Sequence, residues 1–493
     1  MPSFVGSARL IGALTLLSRL LGMARDVLSS HFFGAAAVWD AFVIAYRVPN
    51  LFRRLFGEGA LTAALVPAFV SRLETGRRDE AFLLLRRVAT AVGLFLAAVV
   101  AVGIGATWLL PRDPKAQMVA EFLRIMLPYL LLICLAAVLG GALNGLRHFF
   151  APAFAPVLLN IVWIAAIVVF RDARWVAWAI IAGGLLQLLT MVVALKARGV
   201  PLAPDATFSD PGLREVGARF APIVLGLALV QVNELVDSVI AELCVPGDGA
   251  VSYLYYGNQL TQLPLSLIGT SVATALFPAM AAAAATAKPE ELAGLVQKGL
   301  RGTVFLSVPA TVGLVLFAHP IIELIYQHGA FTAAHTSHSA SVLAFYALGL
   351  WCYCANQVQV RAFYARGDTK TPVRVSASMV ALNLALNLTL VWPMGAAGIA
   401  LSTSISGFLS FVFLQALLRR RLAVSYGPVA RTLALSLVCS AVMGAAAWGV
   451  RHALPQHFHH AIRIGVPIAV ALAVYFGLTR AIGMNETKQA LRR

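Results

Sequence analysis

The sequence predicts an all-α polytopic membrane protein. We read about fourteen transmembrane helices, arranged as two parallel, pseudo-symmetric six-helix lobes plus two C-terminal helices. Three observations carry this. The 493 residues are 60% apolar and 12% charged, whereas an ordinary soluble domain is about 25% charged. Apolar runs of about 20 residues, enough to cross about 30 Å of hydrocarbon, recur from end to end. Basic residues alternate. Of 38 Lys and Arg, 25 fall in alternate loops (72–87, Arg147, 196–219, 288–301, 361–374, 419–431 and from Arg480 on), and 7 lie near the opposite ends. The positive-inside rule then places both termini in the cytoplasm and accounts for most of the +17 net charge without nucleic acid. A β-barrel would show short alternating strands instead.

The spans read near 5–31, 36–70, 82–110, 118–146, 151–170, 174–197, 214–243, 250–282, 292–318, 335–364, 371–392, 396–419, 428–450 and 462–482. The first is read as a retained helix rather than a cleaved leader, because no small-residue cleavage site follows its apolar run. The linker Arg198–Gly212, rich in Pro and Asp, follows the sixth span and divides a repeat. Ala60–Ala68 (A-L-T-A-A-L-V-P-A) matches Ser271–Ala279 (S-V-A-T-A-L-F-P-A) at an offset of 211. Ala142–Pro156 matches Ala362–Ser376 more loosely at 220. Six spans is an even number, so both halves start on one side and the repeats are parallel. The expected domains are 1–200 and 210–420, two six-helix lobes, and 428–483, two added helices. Pro49, Gly57, Gly59, Pro128 and Pro264 interrupt helices and free backbone groups to line a cavity.

Charge sits where a membrane protein normally excludes it. The first span holds Arg19, Arg25 and Asp26; the second holds Asp40, Arg47, Arg53, Arg54 and Glu58. An ionised group facing lipid costs at least about 3 kcal/mol, so such groups face a bundle interior or water. Together they predict a largely cationic cavity, and cationic cavities bind anions. Arg19 and Arg25 lie about 120° apart on a regular helix, and Gly22 between them would let it bend. Arg53 and Arg54 are adjacent, so at most one faces the cavity centre. An Arg fork grips phosphate through parallel charge-assisted hydrogen bonds. Interfacial snorkelling, which suits Arg47, and structural ion pairing are the alternatives.

A second polar group comprises Asp237, Asn383, Asn387 and Thr403. One carboxylate with amide and hydroxyl oxygens suits Na⁺; interhelical hydrogen bonding is the equal alternative. The loop Arg361–Arg374 is either a positive-inside turn or also a gate. His452, His457, His459 and His460 crowd one loop without a Cys or carboxylate. Cys134, Cys244, Cys352, Cys354 and Cys439 fit no CxxC spacing and read as small buried residues. Walker A, HExxH and GxSxG motifs are absent, which argues against ATP hydrolysis or hydrolase chemistry.

Three motifs resemble one family. S-R-L-L-G-M-A-R-D (18–26), W-D-A-F-V-I-A-Y-R-V-P-N-L-F-R-R-L-F-G-E-G-A (39–60) and F-Y-A-R-G-D-T-K-T-P (363–372) resemble the MurJ (MviN) lipid II flippases of the MOP exporter superfamily. The resemblance implies two six-helix lobes around a cationic cavity and two further helices forming a lipid groove. It implies export of the undecaprenyl-pyrophosphate-linked peptidoglycan precursor across the bacterial inner membrane. Family substrate-cavity residues match at Ser18, Arg19, Arg25, Asp26, Asp40, Arg53 and Glu58. Arg54, Asn258, Gln259 and Arg366 are further cavity candidates. The family's sodium site matches at Asp237, Asn383, Asn387 and Thr403, one family Asp being Asn387 here. The family's Y-A-D-R-L pattern in the eighth span reads Y-G-N-Q-L, so Gln259 stands where an arginine is common.

The expected function is a lipid II flippase working by alternating access, a transporter and not an enzyme. Membrane lipids are its surroundings. No cofactor is expected beyond Na⁺ as coupling ion. The expected assembly is a monomer associated with cell-wall synthesis machinery. The alternatives are a cation-coupled multidrug or other polyprenyl-linked oligosaccharide exporter of the same superfamily, and a membrane enzyme acting on a polyprenyl phosphate. The arginines argue against the drug exporter, and the lack of clustered catalytic carboxylates or His on one loop argues against the enzyme.

Overall fold

A computed structural model describes residues 4–56, 61–455 and 460–491. They form helices, with no strand among the described residues. Among the described residues, eleven helices are long and apolar enough to cross a membrane. The chain divides into two compact units, Met1–Val236 and Asp237–Arg493, and the division falls inside a helix rather than at the linker.

The first unit holds α1 (Phe4–Phe33), α2 (Ala37–Leu55), α3 (Leu61–Glu74), α4 (Arg78–Ala106), α5 (Pro114–Gly145), α6 (Phe150–Phe170), α7 (Ala173–Lys196) and most of α8 (Pro211–Cys244). The second holds the end of α8, then α9 (Ala250–Pro264), α10 (Ser271–Ala285), α11 (Pro289–Leu316), α12 (Ala318–Tyr326), α13 (Ala333–Ala365), α14 (Lys370–Met394), α15 (Ala396–Arg419), α16 (Gly427–Ala453), α17 (His460–Ala481) and α18 (Asn485–Leu491). All fourteen expected spans are helical, and the third to sixth and eighth to fourteenth are the eleven membrane-crossing helices; two spans differ in detail. The second span is two helices, α2 and α3. The eighth is α9 and α10 joined by a π-helical turn, Leu265–Thr270, directly after Pro264. Pro264 has no N–H to close the regular ladder, and a π turn absorbs the defect. Gly22, Pro49 and Pro128 do not break α1, α2 and α5, each of which runs continuously through them. The short helices α12 and α18 were not expected, being too short to carry a span signal.

The repeat is visible in the backbone. After α3, the Gly76 N–H bonds the Leu73 carbonyl and the Arg77 N–H the Arg72 carbonyl. After α10, at an offset of 211, Ala287 bonds Ala284 and Lys288 bonds Ala283. After α5, Arg147 bonds Asn144 and His148 bonds Leu143; after α13, at an offset of 220, Gly367 bonds Tyr364 and Asp368 bonds Phe363. All four are Schellman caps, which need a left-handed residue. Gly76, Ala287, Arg147 and Gly367 supply it at φ 77°, 52°, 57° and 74°. The offset grows by nine between the two pairs, and the second unit holds the nine-residue α12 in that interval.

Close packing rests on small residues, as expected where lipid removes the hydrophobic drive between helices. A Cβ on Gly184 would lie 2.5 Å from the Tyr129 ring, and one on Gly349 2.8 Å from Ser404 Cα. Four of the five cysteines are buried. The linker is fastened to α4: Arg87 pairs with Asp210 at 2.7 Å and Asp205 at 3.5 Å, and the Asp205 N–H donates to Thr90 Oγ1. Hydrogen bonds from Thr207 and the nearby Arg87 hold the Asp205 carboxyl below its usual range, and Arg87 does the same for Asp210.

Candidate functional site

In the first unit, Ser18, Arg25 and Asp26 come together around a residue of α6, Asn160. Arg25 Nε and Nη2 donate to Asp26 Oδ1 at 3.0 and 2.9 Å, and its Nη1 donates to Asn160 Oδ1 at 3.3 Å. Asn160 Nδ2 donates to the Ser18 carbonyl at 3.0 Å and to its hydroxyl at 3.4 Å. The Arg25 guanidinium lies over the Trp163 ring, 4.5 Å from its centroid. Asn160 and Trp163 are three apart on α6, so they share one face. Trp163 meets Phe42 and Tyr46 of α2 edge-on, at 5.4 and 5.2 Å. A carboxylate, an amide and an aromatic face thus fix one guanidinium in a nearly dry setting. Such a group is pre-oriented, and a cation over a desolvated ring is held by about 2 kcal/mol.

Arg19 is exposed on α1, and Asp40 is buried in the first turn of α2. Arg53 Nε donates to Asn50 Oδ1 at 2.9 Å. The buried Tyr129 hydroxyl lies within electrostatic range of both Arg25 and Arg53. Arg54 turns to α8, where its Nη1 reaches Glu234 at 2.9 Å and Gln231 at 3.0 Å. Arg47 also reaches α8, donating to the Glu234 carbonyl. Glu58 lies outside the described residues, as do His457 and His459. Asn160, Trp163, Gln231 and Glu234 were missed by sequence reasoning. Asn160 had a signal: one amide alone in the middle of an apolar run.

In the second unit, Asn383 and Asn387 of α14 lie one turn apart between Asp237 and Thr403. Asn387 Nδ2 donates to Asp237 Oδ1 at 2.6 Å and to Asn383 Oδ1 at 3.1 Å; Asn383 Nδ2 donates to Thr403 Oγ1 at 3.4 Å. The donor set has the chemistry of a hard monovalent cation site. Here an amide N–H, not an oxygen, faces the carboxylate, so the cluster is closed by its own hydrogen bonds. On α9, Gln259 donates to the Tyr255 hydroxyl at 3.2 Å and Gln262 to Asn258 at 3.3 Å. Arg366 is exposed at the turn after α13 and donates to the Arg421 carbonyl.

That turn is tied down. Asp368 accepts from the Thr371 N–H and hydroxyl at 2.9 and 2.7 Å, and pairs with Arg421. Burial alone would raise its carboxyl, but the Thr371 hydrogen bonds and Arg421 outweigh it and hold the pKa at about 2. A separate apolar groove of about 400 Å³ runs between α11, α16 and α17, lined by Leu306, Gly313, Met443, Gly444, Leu472 and Tyr475 among others.

Comparison with known proteins converges on one family. The family described as lipid II flippase MurJ matches residues 29–465. A probable lipid II flippase MurJ of Rhizobium tropici is 32% identical, covering 96% of this chain and 93% of its own length. The lipid II flippase MurJ of Burkholderia cenocepacia is 34% identical over 83% of each chain. A solved lipid II flippase MurJ in an inward closed conformation shares the fold, with a TM-score of 0.82 at 23% identity, covering 98% of this chain and all of that one. An inward-facing MATE family transporter of the MOP superfamily shares it at 0.66 and 15% identity, covering 84% and 98%. The chain is an integral membrane protein that belongs to the lipid II flippase MurJ family.

Proposed function

We propose that this chain is a transporter that moves lipid II from the cytoplasmic to the outer leaflet by alternating access of its six-helix lobes, 1–200 and 210–420. The Arg25 assembly is the observation that carries the reading. A pyrophosphate bears about two negative charges, and crossing hydrocarbon unpaired would cost tens of kcal/mol by Born estimates. Arg25 can exchange its bond to Asp26 for a phosphate oxygen while Asn160 and Trp163 keep it in place. Asp26 thus holds the cation when substrate is absent. Arg19, Arg53 and Asp40 complete the headgroup site in this reading, with Ser18 and Glu58. The polyprenyl tail would follow the apolar groove that α11 forms with the two added helices, α16 and α17, of 428–483.

Na⁺ is the proposed coupling ion. Asp237, Asn383, Asn387 and Thr403 would hold it, and rotating the Asn387 amide about χ2 would turn an oxygen toward Asp237. Both termini would lie in the cytoplasm, the protein would sit in the inner membrane as a monomer, and cell-wall synthesis enzymes would be its neighbours. The test is complementation of a conditional flippase-depleted bacterium. Restored growth with lipid II appearing on the outer leaflet is expected; failure despite good membrane expression overturns the proposal. Sodium-independent lipid II export in vesicles would remove the ion from it.

A further inference from the structure

A polar pocket of about 460 Å³ lies where α18 crosses α11, lined by Gly294, Gln297, Lys298, Arg301, Glu486 and Lys488 together with Asn485. It is separate from the Arg25 assembly, the Asp237 cluster and the apolar groove. Its wall is built around one buried carboxylate. Glu486, 7% exposed, accepts from Arg301 Nε at 2.7 Å and from the Thr432 hydroxyl at 2.9 Å. The Arg301 hydrogen bonds, to Glu486 and Thr432, all run through Nε. Holding a guanidinium by Nε fixes its plane and leaves the Nη1/Nη2 fork to face a second anion, the geometry that suits phosphate. Lys298 and Lys488 line the same pocket, and neither has an ion-pair partner among the described residues. The pocket therefore holds three cations and one carboxylate.

The depth fits a headgroup. At 28 residues α11 is about 42 Å long, about 12 Å more than the hydrocarbon core. All its charged residues (Glu290, Glu291, Lys298 and Arg301) lie in its first half, so that end carries the excess length.

We propose that this pocket binds a phosphate group at the membrane surface, with Arg301 as the fork and Lys298 and Lys488 as flanking charges, and that an anionic phospholipid supplies it. The site does not depend on which substrate the transporter carries.

The experiment uses the purified full-length protein in neutral detergent and follows its thermal midpoint. It is titrated with dioleoylphosphatidylglycerol, dioleoylphosphatidylcholine or inorganic phosphate. Truncating Arg301 would strand Glu486 and risk the fold, so the variants are Lys298→Gln/Lys488→Gln and Gly294→Leu. Gly294 faces open space, so leucine would fill the pocket without removing a charge. Phosphatidylglycerol should raise the wild-type midpoint and phosphatidylcholine should not. The double variant should bind phosphatidylglycerol roughly thirtyfold more weakly, at about fivefold per lysine, and Gly294→Leu should weaken it as well. If inorganic phosphate alone gives the shift and displaces the lipid, the phosphate site stands and the lipid source is overturned. No shift with either anion in the wild type, or equal affinity in wild type and both variants, overturns the site.

Discussion

Arg25→Ala tests the phosphate clamp only if its structural cost is separated from its functional one. Arg25 and Asp26 side chains are 12% and 9% exposed and 2.9 Å apart. Breaking a buried pair from one side costs about 3 kcal/mol, because the remaining charge stays in a poor solvent. Arg25→Ala should therefore lower stability by about that amount and abolish complementation. Arg25→Ala/Asp26→Asn removes both charges, so most of the lost stability should return, while complementation should stay absent because the headgroup cation is still missing. Asn160→Ala keeps both charges but removes the hydrogen bond to Nη1 and those to Ser18. It should cost about 1 kcal/mol and reduce, without abolishing, growth. The assay pairs unfolding of the purified variants with growth of the flippase-depleted strain at matched expression. If the double variant regains growth along with stability, Arg25 serves the fold alone and the clamp is wrong.

Four further outcomes are expected. Ala287→Gly and Arg147→Gly should be neutral or stabilise by up to about 1 kcal/mol, whereas Gly76→Ala and Gly367→Ala should destabilise by about as much, since all four positions have positive φ; thermal unfolding reads the signs. Gly398→Ala would put a Cβ 2.2 Å from the Leu390 carbonyl oxygen, so it should disrupt the α14–α15 hairpin and cut the yield of folded protein in a size-exclusion assay. The Asp368 pKa is lowered, so its contribution is fully present above the unfolded carboxylate range near 4 and is lost as pH falls toward about 2; Asp368→Asn should speed hydrogen exchange at the Thr371 amide at pH 7, and unchanged exchange would rule out the tie. Gln259→Ala should leave complementation intact and Gln259→Arg should be tolerated; a Gln259→Ala defect as severe as that of Arg25→Ala would contradict a clamp centred on the first unit.

The sequence carried the spans and the side-chain chemistry further than it carried side-chain direction. Spans follow from length and apolarity, which are local, so α4 to α7 and α13 to α17 begin and end within several residues of expectation. The repeat was legible because it recurs in turns: the loose match at 142–156 and 362–376 is the same cap built once on Arg147 and once on Gly367. The breaks in the second and eighth spans were legible at Gly57, Gly59 and Pro264, although the π form of the second break was not; α12 was not legible, because it is too short to carry a span signal.

The partners of the charged groups were illegible for a different reason. Arg25 meets Asn160 across 135 positions and Arg54 meets Glu234 across 180, and no local pattern encodes such a pairing. The three basic residues of α2 separate in the fold: Arg47, which suited snorkelling, and Arg54 go to Glu234 of α8, while Arg53 bonds Asn50 on its own helix. The α8 contacts consume two cations in holding one helix to another. Arg25 sits in a different setting, where an adjacent carboxylate, an amide on α6 and an aromatic ring surround the guanidinium. Exchanging that carboxylate for a phosphate oxygen leaves the α1–α6 contact at Ser18 and Asn160 unbroken, and this is why the anion site is assigned to Arg25 and not to Arg54.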